Sequence, residues 1–179
     1  MAEPDTETAL IKRAQSGDKG AFEALLRRYY DVMYRTAYKW CGNKADAEDI
    51  TQTACIKLAH SIDGFRHEAS FRSWLYRLVI NTSKDWVRSR ARYAPEAEAE
   101  ADRSEAPGAE MSVYARQVMD YVRSMPEREQ IALLLVFSEG LSHREASLVM
   151  QCKESTVSWY IHEARKKLQS FRELEHRHG

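Results

Sequence analysis

EGLSHREASLVMQCKESTVSWYIHEARKKLQSF, residues 139–171, is the stretch on which the fold class turns. Gly140 breaks an apolar run, and Ser142 followed three positions later by Glu145 has the form of a capping box at a helix start. Ala146, Leu148 and Val149 are the apolar residues expected of the short helix that follows. After the connector Met150-Gln151-Cys152-Lys153, a longer helix is expected from near Glu154. Its buried side is marked by Val157, Ile161, Ala164 and Leu168 at helical spacing. Two helices joined by a tight turn, the second polar on its outer side, have the pattern of a DNA-reading helix-turn-helix. Lone helix pairs also match it by chance. Two further features favour DNA binding: the basic cluster Arg165-Lys166-Lys167, and the helices expected upstream over 113–125 and, after Pro126, over EREQIALLLVF.

Working back along the chain, YAPEAEAEADRSEAPGAEMS at 93–112 contains Pro95, Pro107, six acidic residues and one basic residue. With almost nothing to bury, it reads as a flexible acidic linker. Its charge fits a solubilising spacer, the reading that composition alone favours, or a mimic of nucleic acid inside a basic channel. Residues 5–92 before it and 113–175 after it are both rich in helix formers, so an all-α chain of two small domains is expected. Seven glycines and four prolines in 179 residues fit helices better than a turn-rich fold.

In the first half, 21–41 carries a helical stripe of Phe22, Leu25, Leu26, Tyr29, Val32, Met33 and Ala37, ended by Gly42-Asn43. Next comes KADAEDITQTACIKL, 44–58, with Ile50, Ala54 and Leu58 on its buried side. Its carboxylates Asp46, Glu48 and Asp49 admit three readings: a metal or acid/base site, a helix cap through Asp46, or a surface for another protein. A longer helix is expected over about 71–92, with Phe71, Trp74, Leu75, Leu78, Val79, Thr82 and Trp86 on one side. Arg77, Asn81, Lys84, Arg88 and Arg92 line another side, and residues 70–92 carry six basic side chains against the single acid Asp85. Such a stripe is either a nucleic-acid footprint or a solvated face over a core.

Lys plus Arg equals Asp plus Glu at 27 each, which argues against a uniformly basic coat protein and leaves segregated charge open. Cys41, Cys55 and Cys152 form no CxxC pair, so neither a disulfide framework nor a zinc site is expected, and a reducing cytosol fits. The start MAEPDTETALIKRAQ lacks an apolar signal core, and no run is long enough to span a bilayer. The six histidines are scattered, with only His176 and His178 close together. No nucleophile sits beside a base, so the chain reads as no enzyme, with no metal, no cofactor and no small-molecule substrate.

AQSGDKGAFEALLRRYYDVMYRTAYKW, DAEDITQ, FRHEASFRSWLYRLVINTSKDWVRSR, MPEREQIALLLVFSEGLSHREAS and STV…ARKKL, in that order, resemble a bacterial extracytoplasmic-function (ECF, group IV) RNA polymerase sigma factor of the sigma-70 family. The resemblance covers nearly the whole chain. It implies a sigma-two domain at 5–92, the linker, and a sigma-four domain at 113–175, holding core RNA polymerase, reading promoter −10 and −35 elements and assisting DNA melting. It also implies a cytoplasmic protein without membrane insertion, which an anti-sigma partner can hold at the membrane.

By the same resemblance, Asp46, Glu48, Asp49 and Gln52 would dock on the polymerase. Phe65, Ser70, Phe71, Arg77, Asn81, Lys84 and Arg88 would capture an unstacked base and the displaced strand of the −10 element. Thr156, Ser158, Trp159, His162, Arg165 and Lys166 would read the −35 element, whereas Trp74 and Trp86 are expected in the core. The chain departs from the family pattern in four places. Ser158-Trp159-Tyr160 replaces the small-basic run and Glu163 a frequent basic residue, Met150-Gln151-Cys152 lacks the usual turn glycine, and Thr53 and Cys55 replace an acid and an aromatic. Two other classes compete: a stand-alone helix-turn-helix regulator that needs no polymerase, and a helical metal-dependent hydrolase built on Asp46, Glu48 and Asp49.

Overall fold

Helix α2, Lys19–Cys41, organises the first half of the chain, because Ala21, Leu25, Tyr29, Met33 and Ala37 recur every fourth residue and are all buried. The computed structural model describes residues 6–93 and 113–178, and among them there are eight α-helices and no strand. The chain folds as two units, Met1–Ser104 and Glu105–Gly179. Apart from Tyr93, which ends a helix, the acidic segment 93–112 lies outside the described residues.

In the first unit, α1 (Glu7–Gln15), α3 (Lys44–Ser61) and α4 (Phe71–Tyr93) pack on α2. Leu10, Ile11 and Ala14 come from α1, Ala47, Ile50, Ala54 and Leu58 from α3, and Phe71, Leu75 and Val79 from α4. Each large apolar side chain buried this way contributes about 1.5–3 kcal/mol before chain entropy is counted. The helix ends follow from local chemistry. Asp18 caps α2 by accepting from the Ala21 amide at 3.1 Å, and that bond, with the Arg13 side chain, holds its carboxyl below the ordinary value. Gly42 ends α2 in the left-handed region at φ 81°, where a residue lacking Cβ is unstrained. Tyr29, buried and donating to Glu7, has its phenol pushed up to about 12.

The cap of α3 corrects one expectation. Asn43, not Asp46, caps the helix, accepting from the Asp46 amide at 2.9 Å, so Asp46 lies within the first turn. Asn43 has the extended backbone of an N-cap, from which its side chain reaches the free amide three residues on.

The second unit contains α5 (Val113–Ser124), α6 (Glu127–Leu133), α7 (His143–Met150) and α8 (Glu154–His178), with α6 and α7 packed on α8. The helix expected through Phe137 stops its α-form at Leu133 and continues as a π-turn, Leu134–Ser138, closed by the Glu139 amide on the Leu134 carbonyl at 3.0 Å. Ile131 to Leu135 are five consecutive buried residues, more than one side of a regular helix accommodates; the wider turn brings Leu134 and Leu135 both inward. The expected capping box is present: Ser142 and Glu145 bond each other's main chain, and the Ser142 hydroxyl, with its amide, donates to the Glu145 carboxylate and holds it below its ordinary value. Ala146 and Val149 are buried as expected, but Leu148 is 49% exposed, because Ser147 and Met150 complete the inward side instead. In the turn to α8, Gln151 takes the left-handed conformation at φ 52° that the missing glycine would adopt.

Candidate polymerase-docking and nucleic-acid surfaces

Three solvent-facing stretches hold the expected site residues, one each on α3, on the loop leading into α4 with α4 itself, and on α8. On α3 the four acidic and amide residues do not form one set. Asp46 faces inward: Arg90 Nη1 lies 2.8 Å from both of its oxygens, and Asn43 Nδ2 donates to one of them at 2.6 Å. Glu48 is half-exposed and lies 3.8 Å from Lys44, while Asp49 and Gln52 are exposed. At 100° per residue, Asp49, Gln52, Thr53 and Ile56 occupy one arc of about 100°. Ile56 is 61% exposed, a large apolar side chain turned to water. It was not among the expected docking residues, although its place off the Ile50, Ala54, Leu58 spacing was a usable signal. Among the described residues, no three His, Cys, Asp or Glu side chains converge as metal ligands would.

The loop 65–70 and α4 form the second stretch. Phe65 and Phe71 are 5% and 2% exposed, which corrects their expected place on the DNA surface. Their rings pack edge-on at 5.2 Å, and Phe71 meets Tyr29 at 5.3 Å, so both spend their apolar area in the core. Trp74 lies 5.6 Å from Phe65 and 5.7 Å from Phe71, partly buried, and Trp86 is partly buried with Arg90 stacked over its ring at 5.1 Å. Both tryptophans thus pack on the core as expected. Ser70 starts α4: its hydroxyl accepts from the Ser73 amide at 3.1 Å and its carbonyl from the Trp74 amide at 3.1 Å. Arg66, His67 and Glu68 are exposed between these fixed ends.

Along α4, Arg77, Asn81, Lys84, Arg88 and Arg92 fall within an arc of about 80°, nearly opposite buried Leu75, Val79 and Thr82. Asn81, Arg88 and Arg92 are exposed, and Arg77 and Lys84 are half-buried. Asp85 lies beside this stripe and pairs with Lys57 at 2.9 Å, so the one acid of the helix is already matched by a cation on α3.

On α8, Val157, Ile161 and Ala164 are buried and Leu168 is half-buried, which leaves the opposite side to solvent. Ser158, Trp159, His162, Arg165 and Lys166 share that open side, and Ser155, not among the expected contacts, joins them one turn earlier. Thr156 does not: it is half-buried and turned away from this side. Trp159 is 56% exposed and meets Tyr160 edge-on at 5.2 Å. Ser158 Oγ lies 2.8 Å from His143 Nδ1, which ties the start of α8 to the start of α7. Arg165 lies over the exposed Phe137 ring at 5.0 Å, an approach created by the π-turn and so not visible in a regular helical pattern. Lys167, the third cation of the basic cluster, is not on the open side. Its ammonium reaches both oxygens of buried Glu129, at 2.7 and 2.8 Å, and fastens α8 to α6.

Residues 25–93 match the family Sigma-70 region 2, and residues 115–168 match Sigma-70, region 4. The chain is 33% identical to the ECF RNA polymerase sigma-E factor of Haemophilus influenzae, over 95% of this chain and 97% of that protein. It is 31% identical to the ECF RNA polymerase sigma-E factor of Escherichia coli K12, over 94% of this chain and 95% of that one. In fold it is similar to CnrH, solved in complex with the cytosolic domain of CnrY, at a TM-score of 0.70 and 23% identity over 92% of this chain and 96% of that one. It is equally similar to the sigma factor RpoE of Bartonella quintana, solved with the anti-sigma factor NepR, at 0.70 and 19% identity over 85% and 96% of the two chains. With both sigma regions matched in order and such relatives aligned along nearly its whole length, the chain belongs to the ECF RNA polymerase sigma factors of the sigma-70 family.

Proposed function

We propose that this chain is an alternative transcription initiation factor: it binds core RNA polymerase, directs it to promoters carrying −35 and −10 elements, and assists strand opening. One observation carries the reading. A single chain aligned end to end with sigma-E factors presents an exposed acidic and apolar patch on α3, a basic stripe on α4, and an open polar side on the second helix of its helix-turn-helix.

In this reading Glu48, Asp49 and Gln52, with Thr53 and Ile56, dock on the polymerase, while Asp46 holds α3 in place through Arg90. Ser70, Arg77, Asn81, Lys84 and Arg88 meet the −10 element: cations along one arc attract the displaced strand, and the loop before α4 offers room for an unstacked base. Phe65 and Phe71 support that loop from beneath. Ser158, Trp159, His162, Arg165 and Lys166 face the −35 major groove, where Trp159 can meet a thymine methyl and the cations meet phosphate. Thr156 serves packing in the turn.

The chain performs no bond chemistry of its own. It works in the cytoplasm, and among the described residues no helix is long and apolar enough to cross a membrane. An anti-sigma protein is its expected inhibitor, the kind of partner held by the Bartonella quintana factor of the same fold. A stand-alone regulator would need neither the α3 patch nor the α4 stripe.

Transcription in vitro tests the proposal: purified protein, core polymerase and genomic DNA of the source organism, with RNA 5′ ends mapped. Starts that require the protein and share two upstream motifs are expected. Tight duplex binding without core enzyme, and no dependent starts, would overturn it in favour of the stand-alone regulator.

A further inference from the structure

Gln15 ends α1, upstream of the stretch from residue 25 that matches Sigma-70 region 2. Its Nε2 donates to two distant carbonyls, Ile62 at 3.0 Å and Phe65 at 2.8 Å. A side-chain amide has two hydrogens, and both are spent here on main chain brought in from the far end of α3. The Ile62 carbonyl also accepts from the Phe65 amide at 3.0 Å, so both of its lone pairs are used. Phe65 is the last buried residue before the exposed run Arg66, His67, Glu68. His67 stands at φ 58°, a left-handed conformation that costs a residue with Cβ about 1–2 kcal/mol and persists only where its surroundings impose it. Its ring lies 4.6 Å from that of Phe65. At the exit, the Ser70 cap fixes the start of α4. The loop is therefore held at both ends, and at its entry, beside the packed Phe65 ring, the main chain is held by one side chain from another helix.

We propose that Gln15 is a positioning residue for single-strand capture: by fixing the 62–65 turn it sets where loop 66–70 meets the displaced strand of the −10 element. The inference rests on the reading of that loop given above. Methionine at 15 would keep the length and lose both bonds; glutamate would turn an acceptor toward two carbonyls; neither substitution touches the α3 patch, the α4 stripe or α8.

The experiment uses the full chain bound to core polymerase, as wild type, Gln15→Met and Gln15→Glu. Its probes are the non-template −10 strand of a promoter mapped in the transcription assay, carrying a fluorescent adenine analogue at successive positions, and a −35 duplex. Loss of two hydrogen bonds predicts strand affinity weaker by roughly tenfold for Gln15→Met, with the fluorescence rise of the unstacked base reduced. Core affinity and −35 binding stay within about twofold, since neither surface is altered. Adding His67→Gly to Gln15→Met removes the left-handed cost, so part of the strand affinity returns. Unchanged strand affinity and fluorescence in both single variants would overturn the proposal. So would a uniform loss of core, −35 and strand binding that follows the unfolded fraction seen by circular dichroism, or no recovery with His67→Gly. A wild-type protein that directs no specific starts would instead remove the reading of the loop, which keeps the two failures apart.

Discussion

Arg90 Nη1 sits 2.8 Å from both carboxylate oxygens of Asp46, joining the first turn of α3 to the last turns of α4. The guanidinium also lies over the Trp86 ring at 5.1 Å, and the Asp46 side chain is only 14% exposed. Removing Arg90 therefore leaves the Asp46 carboxylate poorly solvated, and removing Asp46 takes the acceptor from both Arg90 and the Asn43 side-chain amide. Asp46→Ala is expected to destabilise the first unit by about 1–3 kcal/mol and lower its melting temperature by several degrees. Arg90→Lys keeps the charge opposite Asp46 but not the flat stack on Trp86, so it should destabilise by a smaller amount. Thermal melts followed by circular dichroism check both; an Asp46→Ala protein melting like wild type would show that the clasp contributes nothing.

Asp49 lies three residues further along the same helix and faces water, so its substitution reads out docking without folding. Asp49→Arg is expected to leave the melting temperature unchanged and weaken core-polymerase binding about tenfold, more at low salt than at high. Ile56→Ser should give a comparable loss with little salt dependence, because an apolar contact is not screened. Titration of labelled protein with core enzyme at two ionic strengths separates the effects. Equal affinity for wild type and Asp49→Arg would place the docking surface elsewhere.

Arg88 is exposed at the centre of the α4 stripe, whereas Lys84 is half-buried along it. Neutralising either by substitution with Gln is expected to weaken promoter-complex binding across sequences. The slope of log affinity against log salt should fall by about one for each phosphate that is no longer neutralised. Filter binding of the holoenzyme to two unrelated promoters over a salt series measures it. A loss confined to one sequence, with an unaltered slope, would mean that the side chain touches a base and no phosphate.

Much of this architecture could be read from periodicity. The spacing of α2 and α8, the end of α2 at Gly42 and the Ser142–Glu145 capping box follow from local rules, and the structure keeps them. What escaped the sequence depended on partners far along the chain. Asp46 has the composition of a cap or a docking acid, and only the fold brings Arg90 to it from 44 residues away. Phe65 and Phe71 flank a polar loop, as base-stacking residues would, but Tyr29 from α2 packs against Phe71 and they go to the core. Gln15 carried no local signal, since its role is set by carbonyls 47 and 50 residues on. Arg165 meets Phe137 at the end of the π-turn, and an unbroken apolar run from Ile131 to Phe137 does not announce which of its residues will face outward. The likeness of ordered motifs to sigma factors compensated for these gaps at the level of family, but not of individual side chains.

Gln151 gives the last prediction, because here the chain lacks a glycine at a position whose backbone demands one. Its φ of 52° and ψ of 50° lie in the left-handed region, and its N–H bonds the Ser147 carbonyl as the final turn of α7 closes. The Cys152 amide reaches the same carbonyl at 3.1 Å, so two main-chain bonds hold the conformation. A side chain there costs about 1–2 kcal/mol relative to glycine, offset in part by the larger entropy that glycine gains in the unfolded chain. The left-handed cost is the larger of the two, so Gln151→Gly should stabilise the second unit by about 0.5–1 kcal/mol and raise its melting temperature by a few degrees. Gln151 is exposed and lies outside the open side of α8, so −35 binding should remain at wild-type strength. Gln151→Val, β-branched in the same conformation, should shift the melt the other way. Melting the wild type and both variants gives the order Gly, Gln, Val; a lower melting temperature for Gln151→Gly would show that the glutamine side chain contributes more to this turn than its backbone strain takes away.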